Sequence, residues 1–120
     1  MMRASLAAAG LLVSAVIAFP ALAADTATGA QISSAISGNT VQGSMLDGSA
    51  YTEFYQTDGT IKGDGYTGAW MVEGNQMCFQ YGSDPANCWD VMIDGDQVTW
   101  MKDGAADGTG TIVSGNPNGF

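Results

Sequence analysis

The sequence predicts a mainly β domain: an antiparallel up-and-down meander of about eight short strands, closed into a small lipocalin-like barrel or a strongly curved sheet, with one short N-terminal helix. Three observations carry this expectation. From Thr40 onward, short runs rich in Tyr, Phe, Trp, Val, Ile and Thr alternate with Asp-Gly and Gly-Asn turn signals. The gaps between runs are far shorter than the dozen or more residues that a crossover between parallel strands needs, so successive strands must be antiparallel. Within the runs, large apolar residues recur at every second position, the period of a strand with one buried face.

The chain starts with a different pattern. Residues 1–23 have a basic start at Arg3, an apolar run from Leu6 to Phe19 and a small-x-small end at Ala21-Leu22-Ala23, the layout of a secretory signal peptide. The run is shorter than the roughly 20 apolar residues that span a bilayer. Cleavage is expected after Ala23, giving a periplasmic or secreted protein that is a single β-rich domain, residues 24–120, with no membrane span. Asp25 to Ala30 is small and polar and reads as a flexible start. Ile32, Ala35 and Ile36 then fall on one face of a short helix over Gln31–Ser37, with Gly38 at its C-terminal cap position. So short a helix needs an apolar surface to dock on, either a barrel end or a sheet face.

Strands are expected at Thr40–Ser44, Tyr51–Thr57, Thr60–Gly63, Ala69–Glu73, Gln76–Tyr81, Cys88–Ile93, Gln97–Met101 and Gly108–Val113. The connections Asp58-Gly59, Glu73-Gly74-Asn75, Asp94-Gly95-Asp96 and Lys102-Asp103-Gly104 supply the positive φ of tight turns. Alternation assigns the faces. Trp70, Val72, Met77, Phe79, Tyr81, Trp89, Val91, Ile93, Val98 and Trp100 form the inward set. Glu73, Gln76, Gln80, Asp90, Gln97 and Thr99 form a polar outward set. Cys78 and Cys88 count onto the outward face. As the only cysteines of a small exported chain they are expected to form one disulfide between neighbouring strands. In Gly108-Thr109-Gly110 the glycines mark a bulge or a close backbone approach.

Composition excludes several function classes. All twelve acidic residues follow the signal segment, whereas Arg3 lies inside it, so residues 24–120 carry 2 − 12 = −10. Such a chain repels phosphate backbones and anionic lipids and attracts cations, which argues against a nucleic-acid partner and for a cationic one. Histidine is absent from the sequence, and with it the commonest general base and transition-metal ligand. Asp90, Asp94 and Asp96, or Asp103 and Asp107, do not match a calcium loop and read as turn residues. The methionines after the signal, Met45, Met71, Met77, Met92 and Met101, are scattered rather than clustered as a copper site would require. No metal or cofactor is expected. Glu53 with a nearby aspartate would suit glycoside cleavage only if two carboxylates stood about 5–9 Å apart across a sugar. Pairs of this kind arise by chance among twelve carboxylates, and no catalytic residues are assigned.

Tyr51, Tyr55, Tyr66, Trp70, Trp89 and Trp100 are candidates to line a pocket for a flat apolar ligand or a sugar ring, although a filled aromatic core is the simpler expectation. The five aromatics chosen as pocket or core are Trp70, Phe79, Tyr81, Trp89 and Trp100. Pro117 and the glycines around it break the strand that would make Phe120 the end of an outer-membrane barrel. Phe120 is expected to fold back over an open end of the sheet.

Gly38-Asn39-Thr40 after a short helix, Tyr55 to Gly59, Gly68-Ala69-Trp70, Cys78, Cys88-Trp89 and the closing Gly-Asn-Pro-Asn together resemble a group of small exported bacterial proteins of unknown function. The resemblance implies export and a β-rich fold and brings no catalytic residue. The expected function is a binding module for an apolar or aromatic small molecule inside, or for a cationic protein on the acidic outside. The alternative is a non-catalytic structural or interaction protein of the cell envelope.

Overall fold

Each glycine-bearing turn returns the chain antiparallel to the strand before it, and the last strand reaches the first. The computed structural model describes residues 25–120, so the expected signal segment lies outside the described residues. Helix α1 (Gly29–Ile36) precedes strands β1 (Thr40–Met45), β2 (Ala50–Tyr55), β3 (Thr60–Lys62), β4 (Thr67–Glu73), β5 (Gln76–Gln80), β6 (Asn87–Asp94), β7 (Gln97–Lys102) and β8 (Ala105–Val113). Their order β1 to β8 is that of a closed barrel. Closure is made by β1 against β8, from Thr40 opposite Val113 to Met45 opposite Gly108, so the sheet has no free edge. At Gly74 and Gly95 the turns take φ of 57° and 60°, which glycine adopts without steric cost.

The meander gives the barrel two unlike ends. One carries the β2–β3, β4–β5 and β6–β7 turns and is plugged by α1. Ile32 and Ile36 of the helix are fully buried and pack with inward Val41, Ile61, Met77, Val91 and Val98. These branched and linear side chains fill the taper between sheet and helix without any polar atom to satisfy. The residues before α1 correct the expectation of a flexible start. Thr28 caps the helix in a reciprocal box with Gln31. Just before it, Ala27 is buried and its N–H donates to the Val91 carbonyl at 2.6 Å. Because β5 begins opposite Asp90, that carbonyl lies beyond the reach of its strand, and the N-terminal segment completes the ladder there. A Thr-x-x-Gln pattern at Thr28 signals this start; the apolar period alone misses it.

On β5 and β6 Cys78 stands directly opposite Cys88, and the two form a disulfide with Cα atoms 4.0 Å apart. The pair is on the outward face, with no register break. It does not face water as the expected polar face should: Cys78 is buried, flanked along its row by Met71 and by its own partner. One bulge does occur, between Trp100 and Met101 on β7, where Asp107 of β8 is left without a partner between Gly108 and Ala106. Phe120 borders a shallow surface hollow at the β3–β4 hairpin, beside Lys62 and Tyr66. It is absent from the lining of the cavity described below, so it lies against that hairpin and not over the cup. Among the described residues no helix is long and apolar enough to cross a membrane.

Candidate functional site: an aromatic cup around a buried carboxylate

The other end of the barrel carries the β1–β2, β3–β4, β5–β6 and β7–β8 turns, and no helix among the described residues lies over it. There the inward positions hold aromatic rings instead of aliphatic side chains, and they leave a cavity of about 190 Å³. Tyr55 and Phe79 form its floor, edge to face with ring centroids 6.0 Å apart. Trp89 and Trp100 each meet Phe79 edge to face at 5.3 Å. Met45, Tyr51 and Tyr81 complete the wall with Glu53.

Four of the five expected aromatics, Phe79, Tyr81, Trp89 and Trp100, stand around the cavity. The fifth, Trp70, does not. It lies at the helix end, edge to face with Tyr55, and its indole N–H donates to the Gln56 carbonyl at 2.9 Å. Tyr81 differs from its expected place in the core. It follows the last residue of β5 and is 38% exposed, with its hydroxyl reaching Glu53. The rings of this half thus surround a cavity where a filled aromatic core was the simpler expectation.

Glu53 sits between Tyr51 and Tyr55 in the alternation of β2, so all three point inward. It is 5% exposed. Its Oε1 accepts from the hydroxyls of Tyr55 and Tyr81, each at 2.9 Å, and its Oε2 from those of Tyr66 and Tyr81, each at 2.8 Å. Three phenol hydrogens thus engage the carboxylate, that of Tyr81 shared between its two oxygens, and take up three of its roughly four acceptor positions. Tyr66 comes from the β3–β4 hairpin and Tyr81 from the β5–β6 connection, so the carboxylate ties two mouth loops to the wall.

Glycine makes room for these rings. A Cβ on Gly68 would lie 2.8 Å from Cδ1 of Tyr81, and one on Gly63 or Gly110 would collide with Tyr66 or with the Tyr51 hydroxyl. Gly110 thereby fulfils the expectation of a close backbone approach.

The tyrosines are held in their neutral form. Burial, then the nearby Glu53 charge and the hydrogen bond to it, push the Tyr81 phenol well above its ordinary value. Tyr66 is raised by burial and by its bond to Glu53, and Tyr55 by deep burial and Glu53. Tyr51 is raised by burial, against the lowering effect of the N–H it receives from Trp100.

The remaining polar groups are engaged with one another. Tyr51 donates to the Thr109 carbonyl and accepts from Trp100 Nε1, both at 2.8 Å. Trp89 Nε1 donates at 3.0 Å to Asp107, the bulged residue of β8, which reaches past β7 to do so. Lys102 places its ammonium 4.7 Å from the Trp89 ring centroid and donates to the Cys88 carbonyl at 2.8 Å.

For metals, the one grouping of three ligand-type side chains among the described residues is Glu73 with Cys78 and Cys88. Its sulfurs are joined in the disulfide and offer no thiolate. Of the aspartates weighed for calcium, Asp90, Asp96 and Asp107 accept bonds from Gln76, Gln97 and Trp89. The chain has no significant match among family models, curated proteins or solved structures.

Proposed function

We propose that this protein is a small-molecule binding module, which takes a compact ligand of about single-ring size into the cup at the barrel end opposite α1. The observation that carries the reading is the cavity of about 190 Å³ walled by Phe79, Tyr81, Trp89 and Trp100 around Glu53. A dry cavity of about 150 Å³ already holds a benzene ring, and drug-sized ligands need roughly 300 Å³ or more. The ligand is therefore a fragment-sized molecule or the head of a longer one that projects through the mouth. The signal-like residues 1–23 and the disulfide support action outside the cytoplasm. The module is read as a binder and not an enzyme, because the carboxylate in the cup is engaged by three phenols and stands beside no second acid in the lining. Saturation-transfer NMR with phenol, benzyl alcohol and indole tests this. Binding is expected to the wild type and to be lost when Met45→Phe fills the cup. Equal binding to both proteins would contradict the reading.

A second reading, capture of a cationic protein, has its own observation. Each of the four turns at the mouth carries an exposed aspartate, Asp47, Asp64, Asp84 and Asp103. Association with a strongly basic protein at low salt, abolished by about 0.5 M salt and by neutralising these four residues, would support it.

A further inference from the structure

We propose that the cup selects a small organic cation, a methylated ammonium head group, with Glu53 as its counter-charge. This rests on the binding reading above and narrows it to one ligand class.

Every tyrosine hydroxyl and tryptophan indole N–H in or beside the cup already has an internal acceptor. Tyr55, Tyr66 and Tyr81 donate to Glu53, Tyr51 to the Thr109 carbonyl, Trp100 to Tyr51 and Trp89 to Asp107. An anion or a carbonyl ligand entering the cup would find nothing to hydrogen-bond its oxygens and would meet a carboxylate, so it is rejected on both counts. What the cup offers a guest is one negative charge and the negatively polarised faces of its rings. That is the environment in which quaternary ammonium groups are recognised.

Two observations on charge point the same way. Glu53 is nine-tenths buried, and no cationic side chain is paired with it among the described residues. Its partners are all phenols. A carboxylate in that setting keeps a field that water does not screen. Around the mouth, Asp47, Asp64, Asp84, Asp103 and Asp107 face only Lys62 and Lys102, a balance of 2 − 5 = −3, which draws cations toward the opening. Lys102 is itself held on the face of Trp89, a cation–π contact made by the chain's own ammonium at the cup. A methylated head fits better than a protonated primary amine. The amine's three N–H groups would need acceptors, and phenols already take three of the roughly four that Glu53 offers.

The test compares choline with its neutral isostere 3,3-dimethylbutan-1-ol by calorimetry and by shifts of the Trp89 and Trp100 indole signals. Choline is expected to bind the wild type at least about tenfold more tightly than the alcohol. In Glu53→Gln, which keeps an acceptor for the tyrosines and removes the charge, the preference is expected to fall toward parity. The wild-type comparison stands by itself if that variant does not fold. If the alcohol binds in the cup as tightly as choline, the cation proposal is overturned while the binding reading survives. If neither binds at up to about 10 mM and neutral single-ring molecules also fail, both fall.

Discussion

The two halves of this barrel share one sheet, one register and one rule of alternation, yet they are built for different ends. In the helix half the inward residues are Val41, Ile61, Met77, Val91 and Val98, each at most 1% exposed and packed with Ile32 and Ile36. In the mouth half the same inward positions carry Tyr51, Glu53, Phe79, Trp89 and Trp100, and a cavity persists. Aliphatic groups collapse onto one another because nothing in them requires a partner. Rings with hydroxyls, indole N–H groups and a carboxylate must satisfy each polar atom at a fixed distance, and that geometry keeps them apart. Stability is concentrated in the first half and recognition in the second.

The largest effect that would break this contrast is expected at alkaline pH. All four tyrosines have phenols raised by burial first, with the Glu53 charge adding to the shift. A group raised in the folded state contributes stability that is fully present below its unfolded value, about 10 for tyrosine, and is lost as pH rises through the folded values. Tyrosinate absorbance is therefore expected to lag behind that of the denatured chain and to appear together with unfolding. Absorbance that rises near pH 10 in a still-folded protein would show the network to be open to solvent.

Next in size is Ile36→Ala. It leaves a hole under the plug and is expected to cost about 2–4 kcal/mol in urea unfolding, against about 1 kcal/mol or less for Met45→Ala on the half-buried cup wall. Equal costs would erase the distinction between the halves. Reduction of Cys78–Cys88, which closes a loop with a sequence separation of 10, is expected to cost about 2.5–3 kcal/mol in the chain-entropy model. Ligand binding should survive reduction in the cold, since the sulfurs lie on the outer face. A smaller effect than loss of the disulfide is expected for Tyr66→Phe, about 1–2 kcal/mol for one phenol lost from a carboxylate that keeps two others.

Much of the architecture was legible in the sequence because turn chemistry and alternation are local. The turns at Asp58-Gly59 and Asp94-Gly95 and the inward series Trp89, Val91 and Ile93 need no tertiary knowledge. The cup was less legible. Tyr51-Thr52-Glu53-Phe54-Tyr55 does show a carboxylate in step with two tyrosines, which places it inward. Its partners Tyr66 and Tyr81 are supplied by hairpins 13 and 28 residues away, and only closure of the barrel brings them together. Likewise, Asp107 reads as a turn residue until the bulge turns it toward Trp89. Whether rings pack solid or leave a cup depends on where α1 sits. Two turns of helix can seal only one end of an eight-stranded barrel.

The three tryptophans report on the two halves separately, so the most direct measurement is an ¹⁵N-resolved NMR titration of their indole N–H signals with benzyl alcohol. Trp89 and Trp100 line the cup, whereas Trp70 is bonded to Gln56 at the helix end. Saturable shifts of Trp89 and Trp100 with an unmoved Trp70 are expected. No shift at all, or a response led by Trp70, would contradict the division of the barrel into a sealed half and a receiving one.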